Sequence, residues 1–300
     1  MSVYPHEREM AERMDRDRAQ VERIGIRAAS NIGRQARITA VHVYRAGLDP
    51  LTAADKILSD AKYLLAQSML AAHLQGRRRT LINGAPQLRK VKLASASYDA
   101  AIDFLQRRLK LSESDLLNLE RTYSIAAEKM LTKMKDVLRS HVQKALQSAV
   151  SKQAHVKTGI AMLRDAFDQA GVTPQNSYTL ENIFRTQAQV AYSAGRWNGL
   201  QDQDIQEILW GFKYVTVGDD RVRPTHRAMD GVTLPKDDPW WRSNMPPNGY
   251  SCRCSALEIY RNRAIVEPVA KMVDGAMTLP DADPGFAFNP GLLYRDFIAA

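Results

Sequence analysis

Between Glu7 and about Val43, apolar residues recur at Val21, Ile24, Ala28, Ile32 and Ala36 among charged neighbours, the spacing of one helical face. Gly47, Asp49 and Pro50 break that pattern. A second helix is expected from an N-cap at Thr52 to near Gly76, with Ile57, Ala61, Leu64, Ser68 and Ala72 on one side. Periodicity resumes through Tyr98, Ile102, Leu105 and Leu109, and Ser112 or Ser114 then caps a run of about 35 residues. One stripe of that run holds Leu116, Leu119, Tyr123, Ala126, Met130, Met134 and Val137; a second holds Leu131, Leu138, Val142, Leu146 and Ala149. Two stripes on one helix predict burial against more than one neighbour, with the methionines as core filler. A shorter helix through Ile160, Leu163 and Phe167 stops at Gly171, and Thr179 opens another. Ala188, Ala191, Ala194 and Gly195 on that last helix permit close approach of another element.

After Asp204 the pattern changes. GFKYVTVG alternates like a strand, PTHRAMDG reads as one helical turn closed by Gly231, and CSALEIY is strand-like within a stretch rich in Pro, Gly and Asp. The fold class expected is α+β: a mainly helical first two thirds with long helices, then a small loop-rich α+β module. The divisions expected are a helical arm with a basic linker over 1–92, a helical domain over 93–203 and the α+β module over 204–300.

With 45% hydrophobic and 25% charged residues over 300 positions, the chain has the composition of a folded protein. The net charge of +9 changes the picture by favouring polyanionic partners, nucleic acid first among them. The most basic stretch places Arg77, Arg78, Arg79, Arg89, Lys90 and Lys92 around Asn83, Gly84 and Pro86. As a loop it would grip phosphates through bidentate guanidinium bonds; as a linker it would only be solvated. The first residues, MSVYPHEREMAERMDRDR, lack the apolar core of a signal peptide, and no apolar run reaches the roughly 20 residues that span a bilayer. An origin in the cytoplasm and no membrane partner are expected.

The stretch Gly218–Cys254 carries the candidate chemistry. A loop of this length needs something other than a backbone ladder to hold it. Cys252 and Cys254 stand too close for an easy disulfide. With His226, and with Asp219 or Asp220 as a fourth ligand, they make a candidate structural zinc set, although Cys-x-Cys departs from the usual knuckle spacing. A small core with His226 bonded to a turn carboxylate accounts for the same residues. A catalytic Cys–His pair oriented by Asp230 is a third reading, weakened by the absence of a glycine-rich cradle or helix N-terminus beside the thiols. Trp240 and Trp241 are expected to pack beneath the loop, Asp237 and Asp238 to form turns, and Arg221, Arg223 and Arg227 to pair with Asp219, Asp220 and Asp230.

GDDRVRPTHRAMDG, then DDPWW, then PPNGYSCRC resembles the signature of the phage Mu protein F-like head-morphogenesis family. The resemblance rests on Asp219 or Asp220, Arg221, Val222, Arg223, His226, Asp230, Gly231, Trp240, Pro246, Pro247, Asn248, Gly249, Cys252, Arg253 and Cys254. FRTQAQVAYSAGRW resembles the helix preceding that signature, and DPGFAFNPG its closing loop, so agreement runs over about 178–291. What the resemblance implies is a minor head protein of the virion, made in the host cytoplasm and not an enzyme. It would act near the portal in procapsid assembly and DNA packaging or delivery, with portal or other capsid proteins and double-stranded DNA as partners. Arg221, Arg223, Asp230, Gly231, Trp240, Asn248 and Gly249 would then be structural. Two alternatives stand beside it: a metal-dependent hydrolase or nuclease built on His226, Cys252 and Cys254, and a sequence-independent DNA-binding protein built on the Arg77–Lys92 stretch.

Overall fold

The computed structural model describes residues 5–84, 102, 106–107, 109–152, 155–171, 178–260 and 279–293. Its helices are α1 (Pro5–Arg45), α2 (Pro50–Gly84), α3 (Glu113–Ser151), α4 (Val156–Gln169), α5 (Tyr178–Leu200), α6 (Gln203–Ile208), α7 (Pro224–Met229) and α8 (Trp241–Asn244). Three short strands are interleaved after α6: β1 (Leu209–Val215), β2 (Thr233–Pro235) and β3 (Ser255–Tyr260). The architecture is α+β, as the periodicities predict, and its longest elements are helices of 41, 35 and 39 residues.

Several boundaries differ from expectation by a residue or two, and α2 differs at both ends. α2 begins at Pro50 and not at Thr52, and Asp49 Oδ1 accepts the Leu51 amide at 3.0 Å. At its other end α2 continues past Gly76 to Gly84. An internal glycine costs a helix about 1 kcal/mol; here the missing side chain admits a neighbouring backbone. On α3 the buried apolar positions include Leu119, Tyr123, Ala127, Leu131, Leu138, Val142 and Ala149, while Val137 is exposed. The second of the two expected stripes is the buried one over the latter half of the helix. The helix expected through Tyr98, Ile102, Leu105 and Leu109 falls largely outside the described residues.

The chain packs into two compact units, each assembled from separated stretches. One comprises Glu22–Leu70 and Ser114–Arg185. Its interior is helical, built from Ile32, Ala36, Leu65, Tyr123, Leu131, Leu163 and Phe167 among others. Lys62–Glu128 at 2.6 Å and Arg139–Asp55 at 2.8 Å link α2 to α3, and Arg37–Asp168 at 3.7 Å links α1 to α4.

The other unit comprises Met1–Val21, Ala71–Glu113 and Thr186–Ala300. Here α5 lies against the second half of α2 with backbones nearly touching. A Cβ on Gly76 would collide with the Tyr192 carbonyl, and one on Gly195 with the His73 carbonyl. The small residues of α5 therefore have the use their spacing predicts. Thr80 Oγ1 donates to the Arg196 carbonyl at 3.1 Å across the same interface.

The sheet has the order β2-β1-β3 with both pairings antiparallel, so β1 is central. β2 is not legible in the alternation. It has three residues, too few for a period to show, and its pairing with Gly211–Lys213 defines it. Phe212 and Tyr214 are both buried on β1 and meet the tryptophan pair. Phe212 and Trp241 pack edge to face at 5.3 Å between centroids, and Trp240 and Trp241 at 4.8 Å. Edge-to-face geometry sets the positive rim of one ring against the negative face of the next.

Candidate functional site

His226 reaches its position through the turn after β1. Pro224 opens α7, where its fixed φ suits a first helical residue and its missing N–H costs nothing. The helix ends after one and a half turns at Asp230, whose Oδ1 accepts the Thr216 amide at 2.7 Å and its hydroxyl at 3.2 Å. Gly231 then turns the chain with φ +85, and its amide donates to the Tyr214 carbonyl at 2.8 Å. Asp230 and Gly231 thus staple α7 to the sheet. On the other side Cys252 closes a turn on the Gly249 carbonyl at 3.2 Å, and Cys254 leads directly into β3.

These two routes converge. His226 Nδ1 stands 3.6 Å from Cys252 Sγ and 3.6 Å from Cys254 Sγ, and donor atoms of the three residues all lie within 4.8 Å of one another. The side chains are buried, His226 at 2%, Cys252 at 3% and Cys254 at 6% exposure. The Cys254 amide donates to Cys252 Sγ at 3.4 Å. Both cysteines face inward because the chain has not yet entered the extended strand, whose residues alternate between faces.

The two thiols titrate in opposite directions. The hydrogen bond from Cys254 and then the nearby His226 hold Cys252 well below its ordinary value; the bond to Cys252 and burial push Cys254 well up. Cys252 therefore gives up its proton before Cys254 does. Burial lowers the His226 pKa, but the bond and charge of Cys252 and the Asp283 carboxylate outweigh it and raise it overall. Tyr214, pushed up by burial and by the two cysteines, remains protonated and donates to Asn248 Oδ1 at 3.0 Å.

Asp283 completes this arrangement. Its Oδ1 lies 3.5 Å from His226 Nε2, on the side of the ring away from the sulfurs. The Asp283 amide donates to the Asn248 carbonyl at 2.9 Å, and Arg223 Nε approaches its Oδ2 at 3.5 Å. Gly249 lies beneath it, and a Cβ there would displace the Asp283 carboxylate.

Asp219, expected as a ligand, is not brought into the group. Its carboxylate takes the Arg253 guanidinium in a fork at 2.7 and 2.8 Å, which holds its pKa below the usual range. Arg221 is exposed, Arg223 donates to the Tyr250 carbonyl at 2.7 Å, and Arg227 donates to the Asp219 carbonyl at 2.9 Å. Two of the three arginines reach the expected set, Arg227 through the Asp219 carbonyl and Arg221 through its own amide, which donates to Asp219 Oδ1 at 3.2 Å. Trp240 sits in the core with its Nε1 donating to the Pro280 carbonyl at 3.1 Å.

Only the first half of the basic stretch lies among the described residues. Arg77, Arg78 and Arg79 belong to the last turns of α2; Arg78 is buried, and Arg79 bonds Asp17 of α1 through Nε at 2.6 Å and through Nη2. Arg89, Lys90 and Lys92 lie outside the described residues. Sequence reasoning gave no role to Asp283, although it stands in the closing loop DPGFAFNPG. Its distance of 57 residues along the chain from His226 hid the pairing. A separate cavity of about 460 Å³ is lined by Trp197, Phe212, Lys236, Trp241 and Asn289 among others, and none of His226, Cys252 and Cys254 lines it.

Fold and site together define a helical protein whose small antiparallel module is closed by a buried imidazole–thiol knot. Residues 129–257 match the family described as Phage Mu protein F like protein. The Mu-like prophage FluMu F protein of Haemophilus influenzae is 28% identical over 166 residues, 52% of this chain and 39% of its own length. The putative capsid assembly protein F of Escherichia phage Mu is 26% identical over 172 residues, 53% of this chain and 38% of its own. The chain thus spans about two fifths of the curated relatives it matches. No solved structure matches it. The matched stretch takes in α5, α7, the sheet as far as Leu257 and all three knot residues, but not Asp283.

Proposed function

We propose that this chain is a structural component of a phage head, acting in its assembly and docking on portal or other capsid subunits. The observation that carries the reading is the family match across the knot, together with a relative named as a capsid assembly protein. The chemistry of the knot agrees with it: side chains at 2–6% exposure brace α7 against the start of β3 and offer no surface to a substrate. Among the described residues no helix is long and apolar enough to cross a membrane. Location near the portal and entry into the virion are part of the same proposal. Co-purification with portal and major capsid subunits at moderate salt tests it; recovery of this chain alone from both mixtures would remove the reading.

DNA contact is a further part of the proposal and rests on the net charge of +9. Arg78 and Arg79 contribute little to it, being used inside the protein. If phosphates are gripped, affinity falls with salt at a log–log slope of about 0.9 per contact. A flat salt response would confine the role to protein partners.

One observation favours a second reading, a hydrolase or nuclease: the imidazole lies beside a thiol whose pKa is lowered, as a nucleophile requires. Burial of all three side chains weighs against it. Parallel cleavage assays of the parent protein and His226→Ala decide between the two.

A further inference from the structure

The separations within the knot are those that a shared ion would set. Zn–S bonds of about 2.3 Å and Zn–N bonds of about 2.05 Å at a tetrahedral angle put sulfur and nitrogen about 3.6 Å apart. Both Sγ–Nδ1 separations have that value. A neutral imidazole nitrogen offers one in-plane lone pair or one proton, so a hydrogen bond accounts for a single such approach. Two equal approaches to two sulfurs call for a centre shared by all three atoms. We propose that His226 Nδ1, Cys252 Sγ and Cys254 Sγ bind one zinc ion.

The surroundings are those of a metal ligand set. The nitrogen remote from the sulfurs faces a carboxylate, Asp283 Oδ1 at 3.5 Å. Histidines that hold zinc donate their second N–H to such a group, which fixes the tautomer and leaves the other nitrogen free for the metal. The Cys254 amide directed at Cys252 Sγ supports negative charge on that sulfur. Two thiolates and an imidazole select zinc over magnesium or calcium, whose ligands are oxygens.

Among the described residues no fourth His, Cys, Asp or Glu joins the group. A cavity of about 20 Å³ is bounded by Cys252 and Cys254 with Arg18, Gln189 and Ser193. It has room for about one water, which would take the fourth position. A space of this size takes no substrate, so the ion braces the module.

The test is elemental analysis and zinc-edge X-ray absorption on the full chain, purified without chelators or a histidine tag. About one zinc per chain is expected, with two sulfurs and one imidazole nitrogen in its first shell. Asp283→Asn keeps that stoichiometry and weakens zinc binding 10- to 100-fold against a competing chelator. Cys252→Ser and Cys254→Ser each lose the ion. Because a variant can fail to fold, the unaltered protein decides alone. No zinc retained or taken up from an equimolar supply under reducing conditions, a first shell without sulfur, or a Cys252–Cys254 disulfide would each overturn the assignment.

Discussion

Gly195 of α5 lies directly against the main chain of His73 of α2, with no room between them for a methyl group. The obstruction is a carbonyl in a helix and cannot rotate away as a side chain would. Gly195→Ala must therefore part the two helices across Thr80 and Arg196. A loss of about 3 kcal/mol or more is expected, at the upper end for overpacking. Urea denaturation of the variant beside the parent checks it; a midpoint unchanged within error would mean the helices are not packed this closely.

His73 itself gives the protein an acid-sensitive element. Burial first, and the charge of Arg77 second, lower its pKa from 6.5 to about 3. The unfolded chain therefore takes up a proton between those values that the folded chain does not. Stability should fall as pH drops through that window, by up to about 1.4 kcal/mol per pH unit from this group. His73→Gln should flatten that part of the profile. Denaturation midpoints measured from pH 7 to 4 give the comparison, and identical slopes would refute it.

Arg196 and Glu258 form a buried ion pair between α5 and β3, and the same guanidinium donates to the Ala256 carbonyl at 2.6 Å. Glu258→Ala strands a buried charge and should cost about 3–5 kcal/mol. Replacing both residues together, by Arg196→Met with Glu258→Leu, should cost much less, because no charge is left unpaired. A double-mutant cycle on unfolding free energies reads the difference, and additive losses would sink the argument.

The Asp219 carboxylate separates two views of the knot. Held by Arg253 and outside the His226–Cys252–Cys254 group, it is not required for metal. Asp219→Asn should leave zinc content unchanged and stability nearly so, while His226→Ala empties the site. Loss of the ion from Asp219→Asn would return that residue to the ligand set.

The hydrolase reading predicts cleavage that depends on His226. With the thiols and imidazole closed off from solvent, the parent protein and His226→Ala should both fail to cleave nucleic acid or ester substrates, with or without added divalent metal. Turnover by the parent that vanishes in the variant would establish an enzyme.

Helical and strand periodicity by itself determined the class of fold and most element positions, because one face of each element is buried and the 3.6 and 2.0 periods record that. Residue type and motif marked His226, Cys252 and Cys254, since rare residues in a short ordered stretch stand out without any structure. Where α2 ends was not readable: Gly76 signals a break locally, and only the backbone of α5 lying against it explains its presence inside a helix. Nor did the sequence say whether Asp219 or Asp283 accompanies the knot. Both are acidic residues in loops; chain reversal, not spacing, carries Asp283 to the imidazole and hands Asp219 to Arg253. Which separated stretches form one unit was likewise a tertiary decision, because the packing of distant segments leaves no periodic trace in the chain that makes it.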